Sequence, residues 1–459
     1  MYDLLIKNGL LVTSEKVQRG DLAIQDGKIA AILSSSDPHW AKECIFADNL
    51  LVFPGAIDTH AHLNDPGYTW REDFLHGTQA AAVGGFTTIL DMPLQNDPAM
   101  TTAALFDRKQ QLVAPNACTD YCFYGGLIPE NFRDLSALNE KGCIAFKSFI
   151  GPVSPDYSPL NYGQAYEAMR LIQNFGGKVC FHCEDYSMIK HLEQLMRSSG
   201  RSDWRAFLDS RPVAAEMVAT TAIIELAKAT GCRVHICHVS SPDVADRIAA
   251  AQREGYDITA ETCAHYLSMT DEDVLQKGAL FKCAPPLRSQ DEVNRLWEHV
   301  ANGTFSGIAS DHSPCAYEEK FGSDLLTPFD VWGGISGIQS CLQVAYDEGC
   351  VKRGLSPSVL AAAMCEKPAK AFGLFGKKGS IDIGFDADLV LLDPNAAWEI
   401  TAESLLYRNQ LSAFVGKTGI GTPVMTLLRG QKVAESGAYI AKPGCGLLCR
   451  GTAPDAAIM

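Results

Sequence analysis

The sequence predicts an α/β architecture, a (β/α)8 barrel carrying a small β-sandwich assembled from both ends of the chain. Three observations lead there. Between residues 51 and 375, eight short apolar runs alternate with longer segments whose apolar residues recur at three-and-four spacing, the signature of parallel strands joined by helical crossovers. The flanks, 1–50 and 376–440, instead alternate apolar and polar residues in brief stretches closed by turn residues, as small antiparallel sheets do. A doubly wound open sheet would want a glycine-rich phosphate loop after its first strand, and no G-x-G-x-x-G or P-loop occurs.

Residues 2–6, 9–12, 22–25 and 28–33 supply the N-terminal strands of the sandwich. The barrel runs are 51–57, 87–91, 120–124, 144–149, 178–182, 233–238, 257–261 and 307–311, with helices such as 214–229 and 242–254 between them. Eight strand-then-helix repeats over such a length fit a TIM-like barrel with insertions. The sandwich resumes at 379–384 and 386–393, followed by 424–429 and 431–436. Residues 441–459, with Pro443, Gly444, Gly446 and Pro454, read as an irregular C-terminal tail able to pack on a neighbour.

Composition narrows the function. With 47% hydrophobic and 20% charged residues, the 459-residue chain has ample material for a large core. It carries 39 Lys and Arg against 54 Asp and Glu, a net charge of −15 with no basic cluster, so neither nucleic acid nor an anionic membrane surface is an expected partner. No run approaches the roughly 18 apolar residues of a membrane span, and residues 1–11 lack the basic start and cleavage site of a signal peptide, so a cytoplasmic location is expected. The 16 cysteines lie scattered through apolar segments and read as reduced, structural thiols. That reading includes Cys180 and Cys183, whose redox-like spacing falls inside a strand rather than at a helix start.

In a barrel, chemistry sits at the C-terminal ends of the strands, so polar residues that terminate apolar runs are candidates. The first run ends in His60-Ala61-His62, two imidazoles on one side of an extended chain, the spacing for holding one ion. The fourth run carries Lys147, the fifth ends in His182, the sixth in His238 and the eighth in Asp311. An ammonium has no lone pair, so Lys147 in such a set must be deprotonated or modified. Carbon dioxide adds to a neutral amine to give a carbamate, whose two oxygens can bridge two cations. Four imidazoles, this carbamate and one aspartate suit a pair of divalent metal ions about 3.5 to 4 Å apart, with a water between them as nucleophile. Zinc is the expected metal, although the same ligands accept cobalt, iron, manganese or nickel. His235, three residues before His238, is expected on the opposite face, and His265 lies beyond its strand end; both stay outside the ligand set.

These residues resemble a known family. Asp58-Thr59-His60-Ala61-His62, Lys147, Phe181-His182-Cys183-Glu184, Cys237-His238-Val239-Ser240-Ser241, Glu261-Thr262-Cys263-Ala264-His265-Tyr266 and Ser310-Asp311-His312-Ser313-Pro314 are similar to motifs of the cyclic amidohydrolases, the group of dihydroorotases, hydantoinases and allantoinases. Asn64-Asp65-Pro66-Gly67, Trp70-Arg71-Glu72, the stretch Lys282-Cys283-Ala284-Pro285-Pro286-Leu287-Arg288 and Trp332-Gly333-Gly334-Ile335 resemble the allantoinase branch. The resemblance implies that His60 and His62 bind one ion, that His182 and His238 bind the other, and that carboxylated Lys147 bridges them. Asp311 would ligate the first ion and act as the catalytic proton shuttle. The implied reaction is the ring opening of a cyclic ureide, allantoin to allantoate, in purine breakdown. Asn64, Cys283, Ser313 and Gly333 are the substrate-binding candidates, and a homo-oligomer, commonly a tetramer, is implied. Dihydroorotases place a carboxylate-gripping arginine where Leu63-Asn64 stand, and hydantoinases an oxyanion-binding tyrosine where residues 148–153 offer none. Allantoinases often have arginine at the position of Tyr68. The alternatives are a dihydropyrimidinase or hydantoinase acting on another ring, or a non-enzymatic assembly protein that shares the fold.

Overall fold

A computed structural model describes residues 1–34, 39–151, 157–323 and 326–451. Strands β1 (Tyr2–Val12), β2 (Val17–Gln25), β3 (Lys28–Leu33), β4 (Ala41–Phe46) and β5 (Leu51–Pro54) come from the N-terminal end. The barrel strands are β6 (Ala56–Ala61), β7 (Phe86–Asp91), β8 (Asp120–Phe123) with its continuation β9 (Gly125–Gly126), β10 (Phe146–Phe149), β11 (Lys178–His182), β12 (Arg233–Ile236), β13 (Ile258–Cys263) and β14 (Gly307–Ala309). The C-terminal end adds β15 (Leu389–Glu399), β16 (Thr418–Leu428), β17 (Gln431–Glu435) and β18 (Ala438–Tyr439).

All barrel strands pair in parallel, β6 to β8 in one set and β9 to β14 in the other. The ring closes where Ala61 bridges to His312 and where the Asp58 carboxylate accepts from both the amide and the hydroxyl of Ser310. Helices lie outside, among them Val213–Thr230 and Pro242–Arg253, close to the spans expected from periodicity. Thr102, Asn161, Asp185 and Ser289 cap helix starts by accepting N–H bonds, satisfying donors that would otherwise be orphaned. Phe372 plugs the lower end of the barrel, against His235 with ring centroids 5.2 Å apart.

The two chain ends build one sheet in the order β18-β17-β16-β15-β5-β1-β2-β3, with β4 beside β1. Its core is Leu4, Ile6, Leu22, Val52, Leu389, Leu391 and Leu427. The apolar run 51–57 is therefore two strands. Leu51–Pro54 pairs with β1 and β15 in this sheet, and the barrel begins only at Ala56. Gly55 makes the change of partner possible: a Cβ there would lie 2.1 Å from the Thr87 hydroxyl, and its own N–H donates to the Asp388 carbonyl at 2.7 Å. The described part of the tail packs on its own chain. Leu448 bridges to Tyr121, and the Cys449 N–H donates to the Tyr121 carbonyl at 2.7 Å. The residues beyond 451, including Pro454, lie outside the described part.

A buried ammonium joins barrel to sheet. Lys378 Nζ donates to Asp120 at 2.7 Å and to Asp388 at 2.5 Å, with Asp386 at 3.4 Å. Removing one partner of a buried ion pair strands the rest, so Lys378→Met is expected to lower unfolding free energy by about 3–5 kcal/mol. Denaturant titration checks this; a loss under about 1 kcal/mol would mean the cluster does not hold the two parts together.

Candidate metal centre

The first group of donors grows from the end of β6. Alternation along the strand sends both His60 and His62 toward the barrel mouth, and Asp311 meets them from the end of β14. Asp311 Oδ1 lies 3.4 Å from His60 Nε2 and 3.5 Å from His62 Nε2. One donor atom from each of the three lies within 4.8 Å of the others, a spacing that can hold a cation. Burial holds the His60 ring down to about 4, which leaves a neutral imidazole with its lone pair available. Burial alone would raise the Asp311 carboxyl, but the His60 and His62 rings outweigh it and hold it at about 2. A neutral His60 nitrogen facing an ionised Asp311 carboxylate is the arrangement a metal ion requires.

The second pair faces the first. His182 Nδ1 and His238 Nε2 are 3.1 Å apart, within reach of a single N–H···N hydrogen bond, and burial pushes both rings below the ordinary imidazole value, which favours their neutral forms. With the His238 proton on Nδ1, the same two nitrogens would present adjacent lone pairs able to hold a shared cation. The His60 and His238 rings are 5.2 Å apart, so the two groups adjoin. His238 has φ 37° and Asp311 φ 43°, left-handed conformations rare outside glycine. Such strain costs of order 1–3 kcal/mol per residue and gathers where function holds it.

Lys147 enters from β10, wholly buried. Among the described residues its Nζ has no hydrogen-bond partner, and it sits 4.9 Å from the Phe149 ring centre. A lone charge in such a place is very costly. The residue fits the centre as a carboxylated, anionic bridge and fits poorly as a free ammonium.

One sequence expectation fails. His235 does not point away from the centre but inward, with Nε2 3.2 Å from Glu261 Oε2 and Nδ1 2.9 Å from the Thr259 hydroxyl. The left-handed turn at His238 breaks the two-residue alternation, so His235 and His238 both reach the interior, at different depths. His265 lies 1% exposed near Asp311, with neither nitrogen partnered among the described residues.

Above the donors lies a cavity of about 410 Å³, which Cys283, Ser313 and Gly333 line together with His60, His62 and Asp311. Phe149, Phe207, Phe329 and Trp332 supply its apolar wall. Asn64 is not on that wall: fully buried, it donates to the carbonyl of Gln95 at 3.1 Å and to its side-chain oxygen at 3.2 Å, and Gln95 is the residue that faces the cavity. Tyr68 also lines it, with the Arg71 guanidinium 4.8 Å over its ring. Tyr157, ten residues after Lys147, donates its hydroxyl to the Lys147 carbonyl at 2.7 Å and accepts from Leu127 N at 2.9 Å, so it braces the strand instead of facing the cavity. Pro152 and Val153 lie outside the described residues.

Supporting carboxylates went unrecognised in the sequence. Glu261 accepts from His60 Nδ1 at 2.6 Å and from the Thr59 hydroxyl, which fixes the tautomer and leaves Nε2 for the site. Glu184, itself paired with Arg211 at 2.6 Å, holds His182 Nε2 at 3.0 Å and frees Nδ1 in the same way. Both were findable: Glu261 ends the seventh apolar run, and Glu184 follows the fifth by two residues. Glu261→Gln is expected to weaken metal retention about 10–100-fold. Chelator competition measures this, and unchanged retention would deny Glu261 its orienting role.

The barrel, its rim of imidazoles and one aspartate, and the flanking sheet are features of metal-dependent hydrolases built on this fold. The chain belongs to the amidohydrolase family, whose profile matches residues 51–433. It is 40% identical over 443 residues to an allantoinase of Rubrobacter xylanophilus, covering 96% of both chains. Against an allantoinase of Escherichia coli it is 36% identical over 450 residues, covering 96% of this chain and 98% of the other. Among solved structures, the L-hydantoinase (dihydropyrimidinase) of Arthrobacter aurescens superposes with a TM-score of 0.95 at 33% identity, over 98% of this chain and 99% of that one.

Proposed function

We propose that the protein hydrolyses the ring amide of a cyclic ureide, opening allantoin to allantoate. The observation that carries the reading is the pair of imidazole groups, His60 with His62 and His182 with His238, flanking a fully buried Lys147 whose Nζ has no hydrogen-bond partner among the described residues. In this reading His60, His62 and Asp311 would hold one divalent ion and His182 and His238 a second, a carboxylated Lys147 would serve both, and zinc is the expected metal. Divalent ions held there supply Lewis acidity, polarising a carbonyl and lowering the pKa of water toward about 7.

The chain's own residues do the rest. Asp311, ionised at neutral pH, takes the proton released as water adds to the ring carbonyl and returns it to the ring nitrogen as the C–N bond breaks. Ser313 and the backbone at Cys283 and Gly333 line the wall against which the ring amides lie. Phe149, Phe207, Phe329 and Trp332 exclude bulk water, which strengthens every polar contact inside. Residues 56–375 form the hydrolase domain in this reading, 1–54 and 376–440 the flanking β-domain and 441–459 the tail; the molecule is a cytoplasmic homo-oligomer, a tetramer by expectation.

A hydantoinase or dihydropyrimidinase activity is the second reading, favoured by the similarity to the Arthrobacter aurescens structure. Tyr157 argues against it, because its hydroxyl is engaged by the backbone at Lys147 and Leu127. Initial rates on allantoin, dihydrouracil and dihydroorotate with metal-loaded protein separate the readings. Allantoin is expected to react fastest; negligible turnover of it would overturn the assignment. A non-enzymatic assembly protein would carry no stoichiometric metal after gentle purification.

A further inference from the structure

We propose that Lys282 and Lys320 are positioning residues: their ammonium groups fix the backbone wall of the cavity on which the substrate ring rests, and so govern how tightly the ring is held. The inference deepens the proposed function and rests on it. Both side chains are buried, and among the described residues the hydrogen bonds they donate all go to backbone carbonyls. Burial opposes their charge, pulling Lys282 down to about 7 and Lys320 to about 8, so the carbonyl dipoles they face are what favours the protonated forms.

Lys320 belongs to the short helix Tyr317–Phe321 that follows β14. Its Nζ donates to the carbonyls of Ala279 at 2.7 Å, Gly334 at 3.0 Å and Trp332 at 3.3 Å. An ammonium has three hydrogens, and this one meets three acceptors. Lys282, in the segment after β13, donates to the carbonyls of Val331 at 2.6 Å and Phe329 at 3.3 Å. The carbonyls of residues 329, 331, 332 and 334 thus turn inward from one loop onto two cations. Without those donors the buried turn would leave them orphaned.

That loop is part of the wall. Gly333 lies between the two carbonyls that Lys320 holds there, and Cys283 directly follows Lys282. The Gly334 N–H donates to the Lys282 carbonyl at 2.9 Å, which sets the two backbones side by side. Ser313 is tied to the same unit: its N–H donates to the Ile335 carbonyl at 3.1 Å, and its own carbonyl accepts from Trp332 Nε1 at 3.3 Å. A Cβ on Gly334 would lie 2.5 Å from the Ser313 hydroxyl oxygen, an approach that glycine permits. The three groups proposed to meet the ring amides come from separate stretches of the chain and share one frame, pinned by two lysines that are not among the metal donors. Removing either ammonium therefore loosens the seat of the ring and leaves the groups at the reacting carbonyl in place, which weakens binding more than chemistry.

The test uses metal-loaded full-length protein and the variants Lys320→Met and Lys282→Met, which are unbranched and lose the donor. Lys320→Gln, which retains two N–H donors, replaces Lys320→Met should that variant not fold. Initial rates on allantoin give KM and kcat separately, with metal content measured in parallel. Misplacing two backbone hydrogen bonds predicts a KM raised about 10–100-fold, with kcat within about fivefold of the wild type and metal content unchanged. Lys378→Met, which removes a buried ammonium remote from the cavity, is expected to leave KM within about twofold, so that lost stability alone does not give this signature. An unchanged KM in the Lys282 and Lys320 variants, or a kcat that falls as far as KM rises, overturns the positioning role. Failure of the wild-type protein to open allantoin overturns the underlying reading instead, and is seen before any substitution is made.

Discussion

Replacing Lys147 with alanine is expected to cost at least about 10³ in kcat and to remove the metal pair with it. The residue is wholly buried, it has no hydrogen-bond partner among the described residues, and imidazole groups stand on either side of it. Alanine supplies neither negative charge nor bridge, so cations brought close together would repel with nothing between them. Lewis-acid stabilisation is worth several kcal/mol, and each 1.36 kcal/mol is tenfold in rate, which gives the magnitude. A short carboxylic acid such as acetate or propionate fits the space vacated by the lysine chain and should restore part of the activity in a concentration-dependent way. Elemental analysis beside the rate measurement checks the account. Metal content like that of the wild type in Lys147→Ala would contradict the bridge.

Asp311→Asn is expected to lower kcat by about 10²–10⁴ while the protein stays folded. Asparagine keeps an oxygen near His60 and His62 but cannot take up and return a proton. The carboxyl of Asp311 is held at about 2, because burial, which would raise it, is outweighed by the His60 and His62 rings. It is therefore the base form at neutral pH. Kinetics of the metal-loaded variant with metal content measured in parallel separate lost proton transfer from lost metal. A variant that holds its metal and keeps kcat within about threefold would remove Asp311 from the proton path.

Much of the barrel was legible because its strands interrupt helical periodicity with short apolar runs, and each such run became a strand. The exception is 51–57, where Gly55 separates a sheet strand from a barrel strand without any break in hydrophobicity, so no pattern could mark the change of partner. His60 and His62 were legible through simple alternation, and Lys147 through its oddity inside an apolar run. His235 was misread because alternation fails at His238, whose φ of 37° cannot be seen in residue types. Glu261 was passed over although it ends an apolar run as the ligands do; its importance comes from contact with His60 across the barrel. Gln95 carried no signal at all. It sits in a loop without periodicity, and its position is set by Asn64, which the sequence singled out for its place beside the ligands rather than for what it holds.

The central claim is that a modified Lys147 joins two divalent ions at the mouth of this barrel. Anomalous diffraction from crystals of metal-replete protein grown with bicarbonate tests it most directly. The account predicts two peaks, one beside His60, His62 and Asp311 and the other beside His182 and His238, with density for a carboxyl group continuous with Lys147 Nζ between them. A plain lysine amine with no anomalous peak between the two histidine pairs would contradict it.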